Sequence, residues 1–179
     1  MITIIWVLLF PALFMIHDFE EIIYGHSWFK RNIKKIETKV SAKLMAKLIK
    51  SLDGTTAQFA FAVFEEFIIL VPLSILTIHY HWYVFYVCLM FGYCVHAVIH
   101  LLQSIYLRMY VPATATGLVT SILIIYGAFV VIHEQQLQIS LILIFLPLMM
   151  ILILVNGLFS HWLANDLLNK AELNRFDKQ

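Results

Sequence analysis

The chain carries five apolar runs, at about residues 2–24, 55–78, 82–107, 111–132 and 139–163 of 179, and little sequence lies outside them. A helix needs on the order of 20 such residues to cross the hydrocarbon core of a bilayer. Lipid offers no partner to an exposed N–H or C=O, so a run of this kind satisfies its backbone as helix. The expectation is therefore an all-α, polytopic integral membrane bundle of five transmembrane helices, one domain over 1–163 with a short tail over 164–179. With 62% hydrophobic and only 13% charged residues, against roughly 45–50% and 25% in soluble domains, the chain has no room for a soluble catalytic domain. Nucleic acid is not expected among its partners.

Prolines fit this division. Pro72 and Pro147 fall inside runs, where neighbouring helices compensate and a kink rather than a break is expected, and Pro112 stands where the fourth helix should begin. The first run lacks the basic start and small-residue cleavage site of a signal peptide, so it is expected to be retained. Cys88 and Cys94 lie six residues apart on one helix, a spacing that suits packing rather than a disulfide or a thiolate metal site.

Orientation follows from the basic residues, because Lys and Arg in short loops stay cytoplasmic. Eight of the twelve lie between Lys30 and Lys50, and with five crossings Arg108, Lys170, Arg175 and Lys178 fall on the same side. The N-terminus is thus expected outside and the C-terminus inside a cell membrane. Within the basic loop, Phe29, Ile33, Ile36, Val40, Leu44, Leu48 and Leu52 recur every three or four residues with lysines between them. That periodicity predicts an amphipathic helix over about 29–52 lying in the cytoplasmic interface, its lysines toward anionic headgroups.

Titratable side chains inside such helices are costly, near +2.5 to +3.5 kcal/mol for a central acid on translocon scales, and mark function by default. In "HDFEE" the helical period of 100° per residue puts Glu20 and Glu21 on either side of His17 and turns Asp18 away. In "FAVFEEFIIL" only one of Glu65 and Glu66 can lead a face; Glu65 shares its face with Gln58 and Ala62, and is the one expected to point inward. His96 and His100 stand one turn apart with Gly92 and Gln103. At about 1.5 Å rise per residue all of them, with Asn156 on the last helix, reach one layer in the cytoplasmic half of the bilayer. Imidazoles and carboxylates at one depth suit zinc, iron or manganese, as one ion or two bridged by carboxylate.

Other polar residues read more plainly. Ala113, Gly117 and Ser121 form a small-xxx-small packing stripe, Thr116 and Thr120 are expected to bond back to their own helix, and Arg108 and Tyr110 flank a tight turn.

The combination of "HDFEE" at 17–21, "FEEF" at 64–67 and "HAVIHLLQSIYLRMYVPATAT" at 96–116 resembles the bacterial membrane proteins grouped as HXXEE-domain proteins, over roughly residues 10–165. His17, Glu20 and Glu21 match the naming motif. Pro112-Ala113 stands where the family usually has Pro-Gly, a departure expected to affect the turn rather than the site. The resemblance implies no activity.

The leading expectation is a membrane-embedded metal-dependent enzyme, of hydrolase or oxidoreductase type, acting on a lipid or other apolar small molecule. Its ligands would be His17, Glu20, Glu21, Glu65, His96 and His100, with Glu21, Glu65 and Glu66 as the catalytic carboxylates and Asn156 in support. A metal-free isomerase or cyclase using the same groups as acid and base, and a small cation or proton transporter, are the alternatives. Membrane lipids are the expected partners, and assembly with further copies of the chain is left open.

Overall fold

The structure, a computed structural model, describes residues 1–43, 45 and 55–176, and the side-chain surroundings of these up to residue 168. Among the described residues five long helices follow one another: α1 (Ile2–Glu37), α2 (Thr56–Tyr80), α3 (Tyr83–Leu107), α4 (Thr114–Glu134) and α5 (Ile139–Phe176). All five are long and apolar enough to cross a membrane. α2 and α5 run unbroken through Pro72 and Pro147, as does α1 through Pro11.

Helix ends follow from local chemistry. Thr55 and Gln58 form a reciprocal capping box at the start of α2. α2 stops at His81 and α3 at Arg108, both left-handed, which turns the chain back within a few residues. α4 starts at Thr114 rather than at Pro112 because Ala113 just before it is also left-handed, with φ 69°. That is the residue where the HXXEE resemblance places glycine, the residue that takes this conformation without a Cβ penalty.

Neighbours close into a ring in the order α1, α4, α3, α5, α2 and back to α1, with lighter contacts of α3 to α1 and α2 across the middle. Tyr86 on α3 ties three helices together: its hydroxyl donates to the Val7 carbonyl of α1 (2.8 Å) and meets Ser74 Oγ of α2 (2.7 Å). Around it pack Val7, Phe10, Met90 and Ile124. Gly127 lets α4 close on Trp6, and Gly92 lets α3 close on Ile153. Cys88 and Cys94 are buried free thiols, directed at the carbonyls of Ile142 and Ser121. At one end of the bundle the Glu134 carboxylate accepts from the Thr3 amide (3.0 Å) and hydroxyl (2.7 Å), fixing the start of α1 to the end of α4.

The other end corrects the reading of the basic loop. Residues 29–37 do not open a separate interfacial helix; they continue α1, and the chain then turns at 38–41. Phe29 and Ile36, expected on the apolar face of an interfacial helix, pack with Met45 against Leu107 and Val111 of the α3–α4 turn. Lys39 Nζ donates to the Leu107 carbonyl, and the Tyr106 hydroxyl to the Lys39 carbonyl (2.7 Å). The same period of apolar residues serves burial against protein as well as against lipid, which is why periodicity alone misassigned it. Leu44, Leu48 and Leu52 lie outside the described residues.

Candidate metal centre

Four side chains converge near this second end. One ligand atom each from His17, Glu21, His96 and His100 lies within 4.8 Å of all the others. The i, i+4 spacing on α1 puts Glu21 one turn from His17, and the same spacing on α3 stacks His96 and His100. The three imidazoles meet edge to face, with ring centroids 5.2 Å apart for His17–His100, 5.4 Å for His17–His96 and 4.7 Å for His96–His100. His100 Nε2 is 3.1 Å from His96 Nε2 and 3.7 Å from Glu21 Oε2.

Small residues and aromatics make the room. Gly117 of α4 receives the His17 ring, since a Cβ there would stand 2.9 Å from His17 Nδ1. Tyr93 covers the ring edge-on at 5.3 Å and is held by Thr120 (2.5 Å), while Phe14 packs on Tyr93. His17 is wholly buried and His100 nearly so, whereas Glu21 is partly exposed and His96 exposed. The group is sealed on the His17 side and open on the His96 side.

Neither nitrogen of His17 has a hydrogen-bond partner, although the backbone of Ala113 is close by, and His100 Nδ1 is likewise unpartnered. Leaving a buried polar atom unpaired costs about 1–3 kcal/mol, so native cores seldom keep several together. A ligand shared by the imidazoles would offset that cost. The donors also suit a metal ion: with bonds near 2.0–2.1 Å, tetrahedral ligand atoms stand about 3.3–3.4 Å apart, between the two separations at His100.

The remaining candidates lie elsewhere. Glu20, expected as a ligand, accepts from the Thr116 hydroxyl (2.6 Å), the Thr116 amide (3.3 Å) and the Tyr110 hydroxyl. Ala113 offers α4 no side-chain cap, so Glu20 supplies one from α1 and places its charge at the positive end of the helix. Thr116 is thereby drawn away from the back-bonding expected of it, which Thr120 does perform (2.7 Å to the Thr116 carbonyl). Burial and the Glu20 carboxylate together push the Tyr110 phenol above its ordinary range.

Glu65, also expected as a ligand, is outside the group. It accepts from Ser160 and from Asn156 Nδ2 (3.5 Å) on α5. Glu66 is within electrostatic reach of Asp18 and Glu21 of α1, with its Oε1 beside Gly157 of α5. Polar company misled the choice between them: the buried stripe of α2 runs through Val63, Leu70, Ser74 and Thr77, and Glu66 continues it. Asp18, set aside in the sequence, is 5% exposed and its Oδ2 has no partner. The signal for it was its i, i+3 relation to Glu21.

A family model described as a protein of unknown function with HXXEE motif matches residues 8–130. The chain belongs to this family. His17, Glu20 and Glu21 of the motif, Glu66 and both histidines of α3 fall within the match. No curated protein and no solved structure matches the chain.

Proposed function

We propose that this HXXEE protein is a membrane-embedded metal-dependent enzyme, acting on a lipid or other apolar small molecule. The observation that carries the reading is the convergence of three imidazoles and one carboxylate within 4.8 Å around a wholly buried, unpartnered His17. Three nitrogens and one oxygen suit zinc, iron or manganese. When bound, such an ion polarises a substrate oxygen or activates water or dioxygen. The chain's own part is to hold the ligands on two helices, α1 and α3, to exclude water with Tyr93 and Phe14 above His17, and to admit substrate at the open side beside His96 and Glu21. By the distribution of Lys and Arg this end of the bundle faces the cytoplasm, which puts the centre in the inner half of the bilayer.

Element analysis of the purified protein tests the proposal beside His17→Ala and His100→Ala. Metal in the wild type and joint loss in both variants is the expected result. Less than about a tenth of an equivalent of any transition metal in correctly folded wild type overturns it. A second reading rests on the contact sequence Glu21, His100, His96, which could pass a proton without metal. An activity that survives chelation favours that one.

A further inference from the structure

One stripe of α3 changes its surroundings along the helix. Cys88, Gly92, His96, Ile99 and Gln103 recur every three or four residues and so share one face. Cys88 is wholly buried and Gly92 buried, whereas His96, Ile99 (46% exposed) and Gln103, further along the same face, are exposed. The course of α5 explains the difference. It lies against the stripe where the Cys88 thiol points at the Ile142 carbonyl (3.6 Å) and where Ile153 and Met150 occupy the space that a side chain at Gly92 would need. Beyond Ile153 it turns to α2: Gly157 adjoins Glu66 Oε1, Ser160 and Asn156 hold the Glu65 carboxylate, and His161 stacks on Phe59 at 5.7 Å. α5 thus parts from α3 one turn before His96 and leaves the rest of the stripe uncovered.

Depth tells what the gap faces. α3 has 25 residues, about 37 Å at 1.5 Å per residue, against a hydrocarbon core of about 30 Å. His96 stands about 16 Å and Gln103 about 6 Å from the end of α3 at Leu107. The first depth is among acyl chains and the second is close to the headgroups. By the distribution of Lys and Arg, this end belongs to the inner leaflet. The uncovered side of the histidine group therefore looks sideways into inner-leaflet lipid, with the Gln103 amide at its polar edge. An imidazole facing acyl chains is costly unless a polar group comes to meet it.

We propose that the gap between α3 and α5 is the substrate entrance, and that what enters is a lipid of the inner leaflet. Its chain stays in the bilayer beside Ile99 while its polar link, an ester or amide, passes His96 to the centre. This deepens the metalloenzyme reading and rests on it, naming an acyl lipid among the apolar substrates that reading allows.

Two measurements test the entrance. In the first, nitroxide labels at His96→Cys and Ile99→Cys, each in the full chain carrying Cys88→Ala and Cys94→Ala, are read by electron paramagnetic resonance in phosphatidylcholine vesicles. Oxygen, which concentrates among acyl chains, should relax both labels strongly, and a water-soluble nickel chelate should not. A label at 96 relaxed mainly by the chelate shows an opening to water and overturns the proposal; a label that neither reaches shows a closed face and overturns it too. The second keeps the native cysteines and follows the Co²⁺ absorption of the protein as two hydroxamates bind, acetohydroxamate and its long-chain counterpart lauroyl hydroxamate. Ile99→Trp, which narrows the gap, should weaken the long-chain compound about tenfold or more and leave the short one within about twofold. Equal effects on the two overturn the entrance. Absence of Co²⁺ bands in folded wild type overturns the metal reading instead, and the nitroxide result still decides where the gap opens.

Discussion

Gly117→Ala isolates the geometry of the histidine site, because it adds one carbon and removes no donor. That carbon would stand 2.9 Å from His17 Nδ1, 3.0 Å from His17 Cε1 and 3.2 Å from Ala97 Cβ. Comfortable carbon contacts begin near 3.5 Å, so something must retreat by about half an ångström. The imidazole, with no hydrogen bond to hold it, yields before two packed helix backbones do. Overpacking of this size costs about 1–3 kcal/mol, and glycine to alanine in a helix returns about 0.8–1.0 kcal/mol. Stability of the metal-free protein should therefore fall by no more than about 2 kcal/mol. Metal affinity should suffer more, since displacing a ligand by such a step typically weakens binding about 10–100-fold. Co²⁺ titration followed by visible absorption reads the affinity, and thermal unfolding of the metal-free protein reads the stability. Gly25→Ala is the control: its Cβ would meet Glu21 Cγ at 3.5 Å, an ordinary contact, and should change neither by much. A Gly117→Ala protein that binds Co²⁺ within about twofold of wild type refutes the placement of His17 as a ligand.

Glu20→Ala should remove the cap of α4 and destabilise the protein by about 1–2 kcal/mol, while the bound metal per chain, read by element analysis, stays unchanged. Glu65→Gln should likewise keep the full complement of metal and cost about 1 kcal/mol through its weakened bonds to Ser160 and Asn156; loss of metal in either variant refutes its assignment. At the left-handed Ala113, relief of about 1–2 kcal/mol of backbone strain in Ala113→Gly is set against about 0.8 kcal/mol for a lost buried methyl. Thermal unfolding should thus find Ala113→Gly neutral to slightly stabilised and Ala113→Val clearly destabilised; equal melting of the two would contradict the strain.

What was legible in the sequence is what bilayer thickness dictates. Run length located all five helices, and the joint depth of His17, Glu21, His96 and His100 anticipated their meeting. Legibility failed where lipid and protein impose the same pattern. A residue such as Val63 is apolar whether it faces α1 or acyl chains, so polar neighbours are the sequence's one sign of an inward face, and that sign favours Glu65 over Glu66. The sign was real but pointed to α5, where Ser160 and Asn156 meet Glu65. The run from Phe29 to Ile36 failed for a related reason: its partner, the turn at Leu107–Val111, is some 70 residues away in the chain, and no local period announces a contact of that range.

The order of the helices around α1 explains the motif itself. At 100° per residue, taking His17 as zero, Glu20 stands at about −60°, Glu21 at about +40° and Asp18 at about +100°, with Phe19 on the opposite side at about 200°. The neighbours of α1 follow in the same sense: α4 on one flank, α3 across the middle, α2 on the other. Glu20 accordingly caps α4, His17 sits between Gly117 of α4 and the histidines of α3, Glu21 reaches His100, and Asp18 is within electrostatic reach of Glu66 of α2, while Phe19 is exposed. The two glutamates of the motif thus do different things. The first fixes the helix that carries Gly117, and so fixes the wall against which His17 rests; the second joins His17 at the centre. Exchanging His17 with either glutamate would aim a carboxylate at the wrong neighbour, so the spacing His-x-x-Glu-Glu follows from where α4 and α3 stand relative to one helix.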